Sequence, residues 1–253
     1  MNHLDLCSGI GGWGLAFREL GINTIAFCEI EKYPQRVLKK NFPNIPIFND
    51  LTELTYETIK KRTGIGRIDI LTCSYPCQPF SVAGKRKGES DARHLWTDTF
   101  RLVKECQPSW FIGENVSGHI ELGLDTVLKD LETEGYDTRT FIVPASTVGA
   151  WHRRERIWII GHKELSDTDS RRFKSSESKR QQKERTSQTS ESRAEQENWW
   201  QTESELCGVP DGISYGLDKG RVGRIKGLGN AIVPQIAWFI GYSILQTYGD
   251  KHD

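Results

Sequence analysis

The sequence predicts an α/β protein with a mostly parallel sheet and helices on both faces. Two observations carry this. Short apolar runs alternate with segments of helical spacing over residues 4–160, the pattern of strand–helix–strand units. The residues that could do chemistry cluster just after the apolar runs, and open α/β sheets build their sites at the carboxyl ends of their strands. A chain of 253 residues suits one large domain, or one domain with a small appendage.

The first predicted strand, Leu4 to Cys7, ends in Ser8-Gly-Ile-Gly-Gly-Trp-Gly14, and a helix from Trp13 to Leu20 stops at Gly21. Asn23 to Cys28 is a strand ending in Glu29, and Tyr33 to Asn41 is helical. A third strand, Ile45 to Asn49, ends in Asp50. The fourth, Ile68 to Cys73, leads into Tyr75-Pro-Cys-Gln-Pro-Phe-Ser81. Helical spacing runs from His94 to Cys106, and Ser109 to Ile112 is a strand that ends in Gly113-Glu-Asn-Val116. A helix is predicted over Leu122 to Leu131, with strands over Tyr136 to Val143 and Arg156 to Gly161. The pattern then stops: from Ser166 to Asn198 the only apolar residues are Phe173 and Ala194. Such a stretch buries too little to offset an ordering cost of about 1–2 kcal/mol per residue, so disorder or a solvated helix is expected there. The pattern resumes near Trp199-Trp200 and closes with Gly227-Leu-Gly-Asn230 and an apolar helix, Ile236 to Leu245. Packing of a minimal core is a commoner use of that Trp pair than stacking on a base.

Formal net charge is zero, so attraction to nucleic acid has to come from local basic patches. The six cysteines form no CxxC pair, which argues against a zinc site or a disulfide framework. No metal is expected. The N-terminus carries no signal-peptide pattern and no apolar run approaches about 18 residues, so no membrane partner and a cytoplasmic location are expected.

Four groups of residues invite a chemical reading. Gly9, Gly11, Gly12 and Gly14 lie between a strand and a helix, where glycine permits close approach of a ligand and the helix N-terminus favours negative charge. Glu29 is placed to accept hydrogen bonds from ribose hydroxyls, and Asp50 to meet an adenine amino group or simply cap a turn. Cys77 sits on a Pro-braced loop after a buried strand, as a nucleophile or as a small hydrophobe. Glu114-Asn115 can hold a heterocycle edge that offers both donor and acceptor. Arg154 and Arg156, two apart at a strand mouth, share one side and suit a carbonyl oxygen or a phosphate, unless they are a solvated face.

Taken in chain order, these pieces resemble the cytosine-5 DNA methyltransferases. The matching motifs are Asp5-Leu-Cys-Ser-Gly-Ile-Gly-Gly12, Pro76-Cys-Gln-Pro-Phe-Ser81, Glu114-Asn-Val116, Arg154-Glu-Arg156, and Gly229-Asn230 followed by Ala-Ile-Val-Pro. The resemblance covers nearly all of 4–160 and 209–245. It implies a Rossmann-like S-adenosylmethionine-dependent fold, with a catalytic unit over 1–162, a reduced target-recognition region over 163–224, and a returning segment over 225–253. It implies that Cys77 attacks ring carbon 6 of a flipped cytosine, that Glu114 bonds ring nitrogen 3, that Arg156 holds the oxygen at position 2 with support from Arg154, and that Asn115 fixes the loop carrying Cys77. For the cofactor it implies Glu29 on the ribose and Asp50 on the adenine. Gly9, Ile10, Gly11, Gly12, Ile30, Leu51, Pro76 and Asn230 would complete that pocket. For double-stranded DNA it implies contacts from Gln78, Ser81, Lys85, Arg86, Lys87 and Arg93, with Arg221, Arg224 and Lys226 on the backbone.

Three departures stand out. Cys7 occupies the place of an aromatic residue, Ile30 that of a tryptophan, and the recognition region between Lys163 and Arg224 is short. The implied activity is methylation of DNA in a short sequence context by a monomer of bacterial or phage type, as in restriction-modification. The sequence names no restriction endonuclease partner. Alternatives are methylation of tRNA, a DNA-binding member with weak catalysis, and, more distantly, a nicotinamide oxidoreductase.

Overall fold

The computed structural model describes residues 1–75, 92–163 and 221–249. Seven strands form one sheet: β1 (Asn2–Leu6), β2 (Asn23–Cys28), β3 (Ile47–Phe48), β4 (Ile70–Cys73), β5 (Trp110–Val116), β6 (Asp137–Pro144) and β7 (Glu155–His162). Their order across the sheet is β3-β2-β1-β4-β5-β7-β6. Pairs among the first five strands are parallel, whereas β7 runs antiparallel to both β5 and β6. The order of strand addition therefore reverses between β1 and β4, which leaves a crevice at the carboxyl ends of those strands.

Helices cover both faces. On one side lie α3 (Tyr56–Thr63), α4 (Ala92–Cys106) and α6 (Leu124–Thr133), over Leu4, Leu6, Leu71, Phe111, Ile157 and Ile159. On the other lie α1 (Gly12–Glu19) and the C-terminal α8 (Pro234–Gly249), over Ile70, Trp110, Ile112 and Trp158. The split follows the alternation of side chains along each strand, and burial on both faces explains why β4 and β5 read as continuous apolar runs. The remaining helices are α2 (Lys32–Asn41), α5 (His119–Leu122) and α7 (Arg221–Asn230).

Several boundaries depart from the sequence reading for identifiable reasons. The α3 helix escapes a periodicity search because only Ile59 is buried; it is defined by its ends. Thr55 caps the amide of Thr58, and Gly64, at φ 73°, accepts the left-handed turn that closes the helix. The helix expected over Leu122 to Leu131 is two helices, because Gly123 at φ 170° is extended. β5 runs on through Glu114 and Asn115, so both side chains issue from a rigid strand rather than a loop.

The expectation that no apolar segment approaches membrane-spanning length needs correction at the C-terminus. Lys226–Thr247 reaches 22 residues and contains an 18-residue window of mean hydropathy 1.3. Residues 231–233 break its helical run, and Ile232, Ile236, Ala237 and Ile244 bury one face with α1.

Close packing of α1 depends on glycine. A Cβ on Gly14 would lie 2.8 Å from Phe27 Cζ, and one on Gly241 would lie 2.7 Å from Phe17 Cε1. Both rings are fully buried. Gly14→Ala is expected to lower stability by about 1–2 kcal/mol, because overpacking of about 1–3 kcal/mol exceeds the gain of helix propensity. Chemical denaturation of the two proteins measures this; equal or higher stability of the variant would contradict the packing argument.

Candidate active site

β1 ends in a loop of left-handed residues, with φ 51° at Cys7, 54° at Gly9 and 89° at Gly11. Ser8 pins it to β2: the Ser8 amide donates to the Cys28 carbonyl at 3.0 Å, and the Cys28 amide donates to Ser8 Oγ at 3.2 Å. The glycines divide by role. A Cβ on Gly9 would meet nothing within 4 Å, so this residue borders open space. A Cβ on Gly11 would lie 2.7 Å from Leu38, and one on Gly12 would lie 2.6 Å from Ile232. Glycine at 11 and 12 thus lets α2 and the returning C-terminal chain close over the loop. Gly227 packs in the same place, near Ile10 and Tyr33.

Glu29, buried at the end of β2, accepts from the amides of Gly9 and Glu31, each at 2.7 Å. Burial raises its pKa against those hydrogen bonds. Next to it Ile30 is 68% exposed. Asp50 Oδ1 accepts from the Thr52 amide at 2.9 Å and from its hydroxyl, a turn-capping arrangement. The following turn is held by Arg101, which donates to the carbonyls of Leu51 and Leu54.

Beneath the loop a buried chain of hydrogen bonds crosses the sheet. His3 lies 3.0 Å from Thr24 Oγ1 through Nδ1 and 2.8 Å from Thr72 Oγ1 through Nε2, and the Thr72 hydroxyl donates to Asp5 Oδ1 at 2.9 Å. Burial lowers the His3 pKa to about 3, so the ring is neutral, and raises that of Asp5. Asp5 Oδ2 is buried and has no hydrogen-bond partner among the described residues. A partnerless carboxyl oxygen, a buried acid closing β2 and an open apolar side chain beside it fit a nucleoside with a cationic tail. S-adenosylmethionine has that chemistry, and Glu29, Ile30, Asp50, Leu51 and the Gly9–Gly12 backbone could hold it.

The second half of the site lies on β5 and β7. Glu114 Oε1 and Arg156 Nε are 3.0 Å apart, both mostly buried. Burial raises the Glu114 pKa and outweighs the opposing pull of Arg156, Arg154 and a Ser74 hydrogen bond. Ser74 also accepts from Trp13 Nε1 at 3.3 Å. Asn115 Nδ2 donates to the Tyr75 carbonyl at 3.1 Å, and its Oδ1 accepts from the Val116 amide. Arg154 stands at φ 36°, a strained left-handed conformation for a residue other than glycine. Its Nη2 donates to the carbonyls of Gly229 at 2.7 Å and Ala231 at 2.6 Å, tying the C-terminal chain to the entrance of β7. Glu114 thus meets Arg156 and Ser74; the next residue of β5, Asn115, holds Tyr75, and Arg154 reaches the returning chain.

Pro76, Cys77, Gln78, Ser81, Lys85, Arg86 and Lys87 lie outside the described residues, as does the polar stretch 166–198 with Trp199 and Trp200. Arg93, Arg221 and Arg224 fall on α4 and α7, with their side chains outside what is described. Asn230 is exposed at the end of α7, and Lys226 forms a 2.8 Å ion pair with Glu31. Burial raises the pKa of Cys28, Cys73 and Cys106, the last to about 12, so these stay thiols and poor nucleophiles. Sequence reasoning passed over His3, Thr72, Ser74, Arg101 and His119. The cross-sheet partners carry no local motif that could have flagged them.

The family model for C-5 cytosine-specific DNA methylases matches residues 1–206. The type II methyltransferase M.HpaII of Haemophilus parainfluenzae is 37% identical over 166 residues, 62% of this chain and 45% of that protein. M.HgiCII of Herpetosiphon aurantiacus is 33% identical over 163 residues, 62% of this chain and 36% of that protein. Among solved structures, an E. coli prophage protein assigned as a DNA modification methyltransferase has a TM-score of 0.55 at 30% identity, covering 66% of this chain and 49% of its own. A Spodoptera frugiperda DNMT2 variant has a TM-score of 0.55 at 27% identity, covering 68% and 53%. The chain thus spans less than half the length of these two curated relatives. With most of its length matched by the family model, and with the motif residues on the strand ends described above, the chain belongs to the C-5 cytosine-specific DNA methylase family.

Proposed function

We propose that this chain transfers a methyl group from S-adenosylmethionine to carbon 5 of a flipped cytosine in double-stranded DNA, within a short sequence context, through a covalent adduct at Cys77. The observation that carries the reading is the buried Glu114–Arg156 pair, which also meets Ser74, two residues before Pro76. A carboxyl and a guanidinium side by side match the nitrogen 3 and oxygen 2 edge of cytosine.

Bound in the crevice, S-adenosylmethionine supplies an electrophilic methyl group. The protein's own residues prepare the acceptor. The Cys77 thiolate attacks ring carbon 6, and the ring gathers negative charge. Glu114, with its pKa raised by burial, can carry a proton to nitrogen 3 and so disperse that charge. Arg156 gives up part of its contact with Glu114 to hold the oxygen at position 2. Carbon 5 becomes electron-rich and takes the methyl group, leaving S-adenosylhomocysteine; water then takes the carbon-5 proton, nitrogen 3 returns its proton to Glu114, and the Cys77 sulfur departs as the thiolate. Lys85, Arg86, Lys87 and Arg93 supply the local positive field that a neutral chain otherwise lacks, with Gln78 and Ser81 beside the extruded base and Arg221 and Arg224 on the phosphates. Residues 1–162 and 225–253 form the catalytic unit in this reading, and 163–224 a reduced recognition region.

Bisulfite sequencing of DNA from a host expressing the chain is expected to show protected cytosines in one short context, and none with Cys77→Ala. Full conversion of every cytosine by the wild-type host would remove the proposal. Glu114→Gln is expected to slow methyl transfer about 10²–10⁴-fold. Glu114 acts only when protonated, so the wild-type rate should fall as pH rises above its raised pKa, and the variant should lose this alkaline limb. Single-turnover rates across pH decide it. Arg154→Ala removes two charge-assisted hydrogen bonds, each worth about 1.5–3 kcal/mol, and frees the chain that covers the glycine loop. Binding of S-adenosylhomocysteine, measured by titration calorimetry, should weaken about ten-fold or more; unchanged affinity would show that the tether does not shape the pocket.

A further inference from the structure

Tyr75 is the last described residue before the Cys77 segment, and it is held at two points. Its carbonyl accepts from Asn115 Nδ2 at 3.1 Å, and its phenol oxygen lies 2.8 Å from His119 Nε2, both contacts buried. The two rings meet edge to face with centroids 5.3 Å apart, and Trp96 stands 5.7 Å away as a further wall. Tyr75 is 4% exposed and His119 7%. A Cβ on Gly123 would approach His119 Cε1 to 3.3 Å, so the missing side chain at this position leaves room for the imidazole. Burial lowers the His119 pKa, so the ring is neutral at pH 7 and hydrogen-bonds the phenol without a buried charge.

Phenylalanine and leucine would fill the same volume with no polar atoms to satisfy. A buried hydroxyl–imidazole pair costs desolvation and returns direction, since a hydrogen bond has a preferred geometry and apolar packing does not. Direction matters at this point in the chain. Two residues of extended backbone reach about 7 Å, so the path on which the chain leaves Tyr75 limits where Cys77 can stand.

We infer that His119 is a positioning residue, acting through the Tyr75 hydroxyl to set the direction in which the chain enters Pro76-Cys77. The inference rests on Cys77 as the nucleophile. It assigns His119 no contact with DNA or cofactor, so its loss should reduce the rate of sulfur attack and leave binding alone.

The test uses the full chain, DNA carrying 5-fluorocytosine in the mapped context, and S-adenosylmethionine. His119→Leu and Tyr75→Phe are each expected to slow adduct formation about ten-fold, since displacement of a reacting group by about 1 Å can cost up to about 10²-fold. DNA affinity by anisotropy should change less than about two-fold. The double variant should be no slower than either single one, because one interaction is lost only once. His119→Gln, which keeps a hydrogen-bonding side chain, should stay within about three-fold of wild type. Tyr75→Phe and His119→Gln carry the test if His119→Leu does not fold, as judged by thermal unfolding. Wild-type rates in Tyr75→Phe, multiplied losses in the double variant, a His119→Gln as slow as His119→Leu, or equal losses of rate and DNA affinity would each overturn the inference alone. A wild-type protein that forms no adduct would overturn the nucleophile and the inference with it.

Discussion

The antiparallel pairing of β7 against β5 is the constraint on which the buried Glu114–Arg156 pair depends. Register places Glu114 opposite Trp158 and Val116 opposite Arg156, so Glu114 and Arg156 are diagonal neighbours on one face. At 3.0 Å they form a mostly buried ion pair. A strand added in parallel would bring a different residue to that position. The pair is poised between two states: burial favours the neutral carboxyl, and the guanidinium favours the carboxylate.

The glycine loop is built differently. Gly11 and Gly12 leave no Cβ in the way of Leu38 and Ile232. The α2 helix and the chain around Ile232 thereby become walls of the loop that follows β1. Arg154 fastens the second wall by two carbonyls. One strained arginine at the mouth of β7 thus links the returning chain to the strand that carries Arg156.

Buried polar chains complete the arrangement. His3, Thr24 and Thr72 lead to Asp5 under the glycine loop, and Tyr75, His119 and Asn115 converge before Pro76. The first chain leaves Asp5 Oδ2 without a partner among the described residues, whereas the second fixes both the carbonyl and the hydroxyl of Tyr75. Hydrogen bonds of this kind set direction where apolar packing does not.

Much of the architecture was legible in the sequence, because strand and helix periodicities are local and both faces of the sheet are buried. β2 matches its predicted span residue for residue, and the chemistry-bearing residues were found at the strand ends. The α3 helix was not legible: with one buried residue it has no periodicity, only caps. Tertiary structure alone decided the rest. That glycines 11 and 12 serve packing, that Arg154 faces the C-terminal carbonyls, and that His119 reaches Tyr75 are facts of residues 27 to 220 positions apart in the chain. The sequence determines which groups are present and at which strand ends they stand. Strand order and register determine which of them touch, since contact between distant residues depends on the pairing of whole elements and leaves no trace in local spacing.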